Sequence, residues 1–336
     1  MKTEITQRIT SALKALIFSD NILLYFFKRL IGVIIVLLII CYLSFILIHA
    51  APGNFLEISR LQSYLTAGDM TSQERITSQW EERFGTNKPI YEQYARFIND
   101  TIKLEFGPSF RYPNTNIEDM IKQAFPVSFT LALWAIILAL IIGSPLGVLS
   151  ALYPNTWIDR LCMFFAMLGQ CIPIYVIAVG LQLIIAVQLK LLPTSGWGRW
   201  ENYIMPVIGL GVMPIAATAR YMRSSMLHTL QQSYIRTAYA KGGTPSKVVG
   251  NHALRNSVIP LITVLGPQVG AMLVGSVFIE TTFRVPGLGQ FFAQSALNRD
   301  YPLMIASLMF LAATISIMNL LVDISYRIID PRMKKQ

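Results

Sequence analysis

The run LIGVIIVLLIICYLSFILI, residues Leu30–Ile48, decides the class of fold. Its 19 residues include no charged side chain. As an α-helix rising about 1.5 Å per residue it reaches about 28 Å, close to the roughly 30 Å hydrocarbon core of a bilayer. Five further apolar runs follow it: Phe129–Leu152, Leu161–Val187, Ile204–Ala219, Val258–Phe278 and Leu303–Ile324. The chain of 336 residues is 54% hydrophobic and 14% charged, where soluble domains average roughly 25% charged. One large soluble core cannot account for uncharged runs of that length. The expected fold is all-α and polytopic, with six transmembrane helices.

Orientation follows from the basic residues. With the N-terminus inside, the inner flanks hold Lys2, Arg8, Lys14, Lys28, Arg29, Arg160, a basic loop between Arg220 and Ser257, and Arg327, Arg332, Lys334 and Lys335. The short outer loops hold only Lys190, Arg199, Arg284 and Arg299. Cytoplasmic flanks collect Lys and Arg, so both termini are expected in the cytoplasm. The same bias rescues the fourth run, which is short and contains Pro206 and Pro214. Without it the basic loop would face outward, and neighbouring helices can satisfy the carbonyls that proline frees. The first run spans without a convincing small-x-small site after it and reads as an uncleaved anchor.

Residues 1–29 form a cytoplasmic or interfacial extension. Within it Ile5, Ile9, Ala12, Leu13, Leu16 and Ile17 recur at helical spacing, which suits a helix lying in the interface or a loosely ordered leader. Residues 30–48 form the first span, 49–125 an outer helical segment, and 126–336 a core with the other five spans. The outer segment carries eight basic and ten acidic residues, together with helix signals. Thr71-x-x-Glu74 makes a capping box, Pro89 suits a first helical turn, and Thr115 or Asn116 can cap Ile117–Phe125. The segment reads as a small domain that receives a soluble partner, or equally as a lid packed on the membrane core.

The most informative polar stretch is SYIRTAYAKGGTPSKVVGNHALRNSVIP, residues Ser233–Pro260. From Arg220 to Ser257 the loop holds Arg220, Arg223, Arg236, Lys241, Lys247 and Arg255 and no acidic residue. A short helix, Tyr234–Lys241, is stopped by Gly242-Gly243 and restarted near Pro245. Thr237, Ala238 and Ala240 give it a slim face, the two glycines permit backbone angles closed to other residues, and Pro245 can open the next helix. Such a knuckle can lodge in a cleft of an inner-face protein and pass movement into the membrane. An anionic-lipid patch would share the charge; the placement of Gly and Ala favours docking.

No catalytic constellation stands out. Gly242-Gly-Thr-Pro-Ser-Lys247 lacks the glycine that a phosphate loop places directly before its lysine, so ATP binding by this chain is not expected. His49, His228 and His252 have no partner at i, i+4 and no carboxylate cluster, and no metal site is expected. Cys41, Cys162 and Cys171 are odd in number, lie in or beside apolar runs and read as packing residues. The net charge of +10 sits beside the spans, which argues against a nucleic-acid surface. Glu280 and Asp323 read as helix-end residues, and the scarcity of midplane carboxylates argues against a proton- or sodium-driven carrier. The neutral set Gln170, Gln182, Gln268, Ser316 and Asn319, with Pro173 and Pro267 to bend their helices, can line a polar path or bridge helices.

Several motifs carry a family resemblance. Arg236-Thr-Ala-Tyr-Ala-Lys-Gly242, then His252-Ala-Leu-Arg-Asn256 and Ile259-Pro260, resemble the signature of ABC-importer permeases in its dipeptide and oligopeptide form. The general pattern opens Glu-Ala-Ala and closes Leu-Pro; here Arg236 and Thr237 replace the opening pair, and Leu254-Arg255 the closing one. Phe45-Ile-Leu-Ile-His-Ala-Ala-Pro-Gly53, Phe106-Gly-Pro-Ser-Phe-Arg-Tyr112, Leu192-Pro-Thr-Ser-Gly-Trp-Gly198, Pro286-Gly-Leu-Gly289, Ala296-Leu-Asn-Arg-Asp-Tyr301 and Asp330-Pro-Arg332 are similar to other segments of that family. The likeness covers roughly Asn21–Arg332 and leans toward the B-type oligopeptide permeases.

The resemblance implies a type I ABC-importer permease in the bacterial inner membrane, catalysing nothing and binding no cofactor itself. It implies a second homologous permease, two ABC ATPase subunits that use ATP and Mg, an extracytoplasmic peptide-binding protein and surrounding membrane lipids. Tyr234, Arg236, Thr237, Ala238, Ala240, Lys241, Gly242, Gly243, His252 and Arg255 would form the ATPase-coupling loop. Gln170, Gln182, Gln268 and Asn319 are candidates for the translocation path. Arg284, Pro286, Gly287 and Gln290 are candidates for an outer gate or binding-protein contact, with re-entrant packing as the alternative. The expected cargo is peptides, oligopeptides foremost. Nickel chelates, glutathione, antimicrobial peptides or oligosaccharides are sibling cargoes, and a membrane-anchored sensor or assembly factor is the alternative of a different class.

Overall fold

The computed structural model describes residues 22–50, 88–107, 109, 111–112, 115–298 and 300–329. The leader 1–20, the Thr71 capping box, the Asp330-Pro-Arg332 motif and the side chains of His49, Ile259, Pro260, Pro267 and Asp323 lie outside that description. Helix α1, Ile22–Ala50, is the apolar run that opened the sequence. Ile31, Ile34, Ile35, Leu38 and Ile39 remain exposed on it, which costs nothing where the solvent is hydrocarbon. Its outer end packs on helix α2, Ile90–Lys103: the Phe45 ring lies 5.2 Å from Tyr94 and 5.8 Å from Phe97. Pro89 stands immediately before α2, and Leu104 ends it in the left-handed region at φ 58°.

Helix α3 runs from Ile117 to Leu152, 36 residues, with Asn116 as its N-cap and a π-helical turn at Ala139–Gly143. It passes Pro126 unbroken. The expected boundary at 125/126 therefore falls inside one rod, which carries the outer segment's last turns into the second span.

The third apolar run is broken. Helix α4, Trp157–Cys171, meets helix α5, Ile174–Gln188, at a bend of 101°. Pro173 offers no N–H to continue the ladder, and its ring drives the preceding residue out of the helical region. Ile172 accordingly sits at φ −82°, ψ 124°.

Helix α6, Glu201–Leu230, absorbs Pro206 and Pro214 and continues well past Ala219, so Arg220 and Arg223 lie on a helix and not in a loop. Then come α7, Ser233–Ala240, and α8, Pro245–Val248. A π-helical turn at Val249–Leu254 leads from α8 into α9, Arg255–Phe283. Helix α10, Leu288–Leu297, and α11, Tyr301–Ile329, complete the order. Among the described residues, α1, α3, α6 and α11 are each long and apolar enough to cross a bilayer, and the bent α4–α5 pair would be a fifth crossing.

Helix α6 is central and packs against α3, α4, α5 and α9. Apolar side chains gain little by leaving lipid for protein, so close backbone approach through small residues must hold such helices together. Ala135, Ala139, Gly143, Gly147 and Ala151 supply it, recurring every fourth residue along α3, all buried. A Cβ on Gly143 would stand 2.7 Å from the Ile215 carbonyl oxygen, and one on Gly147 would stand 2.6 Å from Met222 Cβ. Gly180, on α5, faces open space.

These environments predict opposite outcomes for one chemical change. Gly147→Ala overpacks the α3–α6 contact and should cost about 1–3 kcal/mol, whereas Gly180→Ala gains helix propensity without a clash. Thermal unfolding of the purified protein in detergent should fall for the first and hold or rise for the second. Equal shifts would contradict the close packing of α3 on α6.

Candidate functional site

The Gly-broken loop folds into a knuckle whose two glycines do different work. Helix α7 ends in a pair of backbone bonds, Gly243 N–H to Ala238 O at 3.1 Å and Gly242 N–H to Tyr239 O at 2.9 Å. This is the Schellman arrangement, which needs a left-handed residue just past the helix. Gly242 is that residue, at φ 83°, with open space around it. Gly243 is needed for room, since a Cβ there would lie 2.8 Å from both the Ala238 oxygen and Val248 Cγ2. Thr244 then caps α8 in extended conformation, with Pro245 in its first turn.

The knuckle is anchored to the bundle by one side chain above all. Ile235 is 1% exposed, in a cluster with Ala151 of α3, Met222 and Met226 of α6, Val248 of α8, Ala253 and Leu261. Ala238 also packs on this cluster. Polar stitches close the base: Ser257 Oγ donates to Ala253 O at 2.8 Å and meets Thr229 Oγ1 at 3.0 Å, and Ser225 Oγ donates to Ser257 O at 3.0 Å. The Asn256 amide donates to the Tyr234 hydroxyl at 2.9 Å. Helices α6, α7 and α9 therefore meet in one packed joint.

The opposite face of the knuckle is open. Tyr234, Arg236, Thr237, Tyr239, Ala240, Lys241 and Gly242 are exposed, as are Lys247, His252 and Arg255. Of the three residues expected to make the slim face, Thr237 and Ala240 point outward while Ala238 is partly covered. The missing opening Glu leaves Arg236 exposed on this surface, which is basic and carries two tyrosines.

The four neutral path candidates stay apart, on α4, α5, α9 and α11, and no hydrogen bond joins any two of them among the described residues. Gln170 and Asn319 are exposed. Gln182 donates to Thr194 O at 2.8 Å and so ties α5 to the outer loop 192–198. Gln268 has a buried Oε1 without a hydrogen-bond partner among the described residues.

At the end of the bundle opposite the knuckle, Arg284 ends α9 in the left-handed region at φ 53° and is exposed, as is Pro286. Gly287 and Gln290 belong to a buried joint. Helix α10 starts at a glycine N-cap with no side chain to satisfy its first amides. Ser128 of α3 accepts from Leu288 N–H at 2.9 Å, and Glu280 of α9 accepts from Gln290 N–H at 3.0 Å and from Ser128 Oγ at 2.7 Å. A carboxylate at a helix N-terminus is favourably placed against the helix dipole. Gly287 lies so close to Glu280 that a Cβ would collide with its carboxylate.

Sequence reasoning missed this role: Glu280, read as a helix-end residue, is 0% exposed. Its partner Ser128 is 152 positions away, and only a carboxylate directly after an apolar run hinted at it. Two other carboxylates were missed. Asp300 receives the Ser109 hydroxyl and caps α11 at Leu303 N–H, joining two of the motif segments. Asp159 pairs with Arg223, and the signal for it was an acidic residue next to Arg160 in the short segment between the second and third apolar runs.

Two family profiles match the chain. One, described as binding-protein-dependent transport system inner membrane component, matches residues 143–335, and its N-terminal companion matches residues 22–132. The dipeptide transport system permease protein DppB of Bacillus subtilis is 38% identical over 310 residues, 92% of this chain and 97% of that one. The oligopeptide transport system permease protein OppB of Haemophilus influenzae is 39% identical over 313 residues, 92% of this chain and 99% of that one. Among solved structures, the inward-facing MetNI methionine ABC transporter aligns with a TM-score of 0.55 at 17% identity, covering 63% of this chain and 96% of that chain. That last likeness is one of fold.

The outer joint predicts an order of stability. Glu280→Ala leaves the Gln290 N–H and the Ser128 hydroxyl buried without their acceptor, at about 1–3 kcal/mol for such a loss. Glu280→Gln keeps one acceptor oxygen and should fall between Ala and wild type in thermal unfolding. A Glu280→Ala protein as stable as wild type would contradict the capping role.

Proposed function

The chain belongs to the family of binding-protein-dependent transport system inner membrane components, and on that footing we propose that it forms half of the path by which peptides enter the cell. The permeases it resembles over 92% of its length are named for dipeptide and oligopeptide transport, which supports a peptide cargo. The polypeptide is a non-catalytic subunit. ATP is hydrolysed, with Mg, by two separate ATPase subunits on the cytoplasmic side. A second homologous permease completes the path, and an extracytoplasmic binding protein delivers the peptide. Residues 49–125 form the outer segment and 126–336 the permease core, the first running into the second along α3. Helix α9 supplies the sixth crossing of the inner membrane, with both termini in the cytoplasm.

The observation that carries this reading is the knuckle: a short, stiff helix with one face sunk among Met222, Met226 and Val248 and the other exposed. Tyr234, Arg236, Thr237, Ala240 and Lys241 would seat in a cleft of the ATPase. When ATP closes the two ATPases, α7 is drawn with them. Because Ile235 is locked to α6 and the Ser257–Thr229 stitch locks α9 to α6, the displacement enters the membrane through both helices. Arg284 and Pro286 stand exposed at the outer mouth, where the binding protein would deliver cargo. The neutral amides of Gln170 and Asn319 suit a peptide's uncharged backbone.

The test separates docking from a lipid patch. Gly242→Val places a β-branched residue at a left-handed position, a strain of about 1–2 kcal/mol; Gly242→Asn tolerates that conformation. In a strain lacking the native gene, uptake of labelled peptides and co-purification of ATPase should collapse with Gly242→Val and largely survive with Gly242→Asn. Lys241→Gln with Lys247→Gln should be the milder change. Normal uptake with Gly242→Val, or the reverse ranking, would remove the coupling assignment.

A further inference from the structure

We propose that the Asp159–Arg223 ion pair is a positioning clamp that makes the α3–α4 corner move as one body with the coupling knuckle. The proposal rests on the importer reading above. Arg223 of α6 meets Asp159, in the first turn of α4, as a fork: Nε to Oδ1 at 2.8 Å and Nη2 to Oδ2 at 2.7 Å. Two parallel charge-assisted bonds fix orientation as well as distance. The same carboxylate accepts from the Ser150 hydroxyl at the end of α3 and from Asn155 N–H at 2.9 Å in the intervening turn. Asp159, 4% exposed, thus ties α3, the turn, α4 and α6 together.

The clamp adjoins the seat of the knuckle on both sides. Arg223 follows Met222, and Ser150 precedes Ala151; Met222 and Ala151 belong to the same buried apolar cluster as Ile235. One turn earlier on α3, Gly147 approaches both Met222 and the Arg223 backbone so closely that no Cβ fits. Apolar seat and polar fork are therefore successive layers of one joint. Beyond the fork, α4 leads to the 101° break and α5. A stroke delivered to α6 by the knuckle reaches the broken helix through Asp159.

Burial argues for geometry over stability. Asp159 is buried while the Arg223 side chain is 28% exposed; an ion pair taken this far from water is seldom more stabilising than apolar residues of similar size, and its best-attested use is to select one arrangement. Lysine cannot replace the fork, since its ammonium is a single point charge. The basic loop from Arg220 to Ser257 holds no acidic residue of its own, and among the described residues Arg223 takes its carboxylate from Asp159 on α4.

The test uses the whole transporter, with its ATPases and binding protein, reconstituted in vesicles where peptide uptake and ATP hydrolysis are measured together. Arg223→Lys and Asp159→Asn should assemble and hydrolyse ATP near the wild-type rate while uptake falls about tenfold, within the usual range of coupling between sites. The ratio of ATP consumed to peptide imported then rises by the same factor. Asp159→Asn with Arg223→Gln leaves no buried charge unpaired, so any assembly defect of the single variants should be repaired while uptake stays low. Three outcomes overturn the clamp: an unchanged ratio in Arg223→Lys, uptake and hydrolysis declining together with the amount of complex, or uptake restored in the double variant. A wild-type complex that imports no peptide would instead refute the importer reading, and the clamp with it.

Discussion

The burial of Ile235 among Met222, Met226 and Val248 is the contact on which the inner half of this protein depends. Helix α7 has only eight residues, too few to persist alone in water, where nucleation is costly and short helices are marginal. It is held as a helix by its apolar anchor on one side and by the Gly242–Gly243 stop at its end. Remove either and the exposed face, with Tyr234, Arg236 and Tyr239, loses its orientation. The exposed face of α7 therefore takes its orientation from an isoleucine buried in one cluster with residues of α3, α6 and α9.

The remainder of the bundle extends that stiffness with a small set of devices. Small residues on α3 bring its backbone against α6, where neither lipid nor large side chains intervene. At each end of the bundle buried carboxylates join separate elements: Asp159 at the end that carries the knuckle, Glu280 and Asp300 at the opposite end. Burying an ionised or strongly polar group is tolerated only when its partners are in place, so each carboxylate penalises any arrangement that separates them. Glu280 caps α10 in place of the side chain that Gly287 lacks, while Gly287 is glycine because Glu280 occupies the space. The two residues are one solution to starting a helix beside a packed joint.

Much of this architecture was legible in the sequence because its cause is local. Apolar runs mark the helices, Pro89 and Asn116 mark helix starts, and Gly242 marks the end of the knuckle through its left-handed backbone. The small-residue stripe Ala135–Ala151 recurs every fourth residue, yet it does not stand out within an apolar run and acquires meaning only from the facing helix. Other features depend on distant pairing. Pro173 signals a bend, yet the angle of 101° is set by what α4 and α5 pack against. Arg223 reads as one more cytoplasmic cation until Asp159, 64 positions earlier, is beside it. Gln182 donates its amide to Thr194 O, a contact that the sequence alone does not show. Neutral polar residues in a membrane have two uses, and only their partners separate them.

The central claim is that the knuckle and the half of α6 that bears Met222 and Met226 form one rigid body that carries the stroke. Spin labels at two exposed positions, Tyr221 on α6 and Arg236 on α7, measure it directly in the assembled transporter. The account predicts one narrow distance distribution that is unchanged between the resting and the ATP-trapped states while the two ATPase subunits close. A distribution that broadens or shifts by several ångströms on ATP binding would show that α7 hinges freely on α6, and would contradict a stiff joint at Ile235.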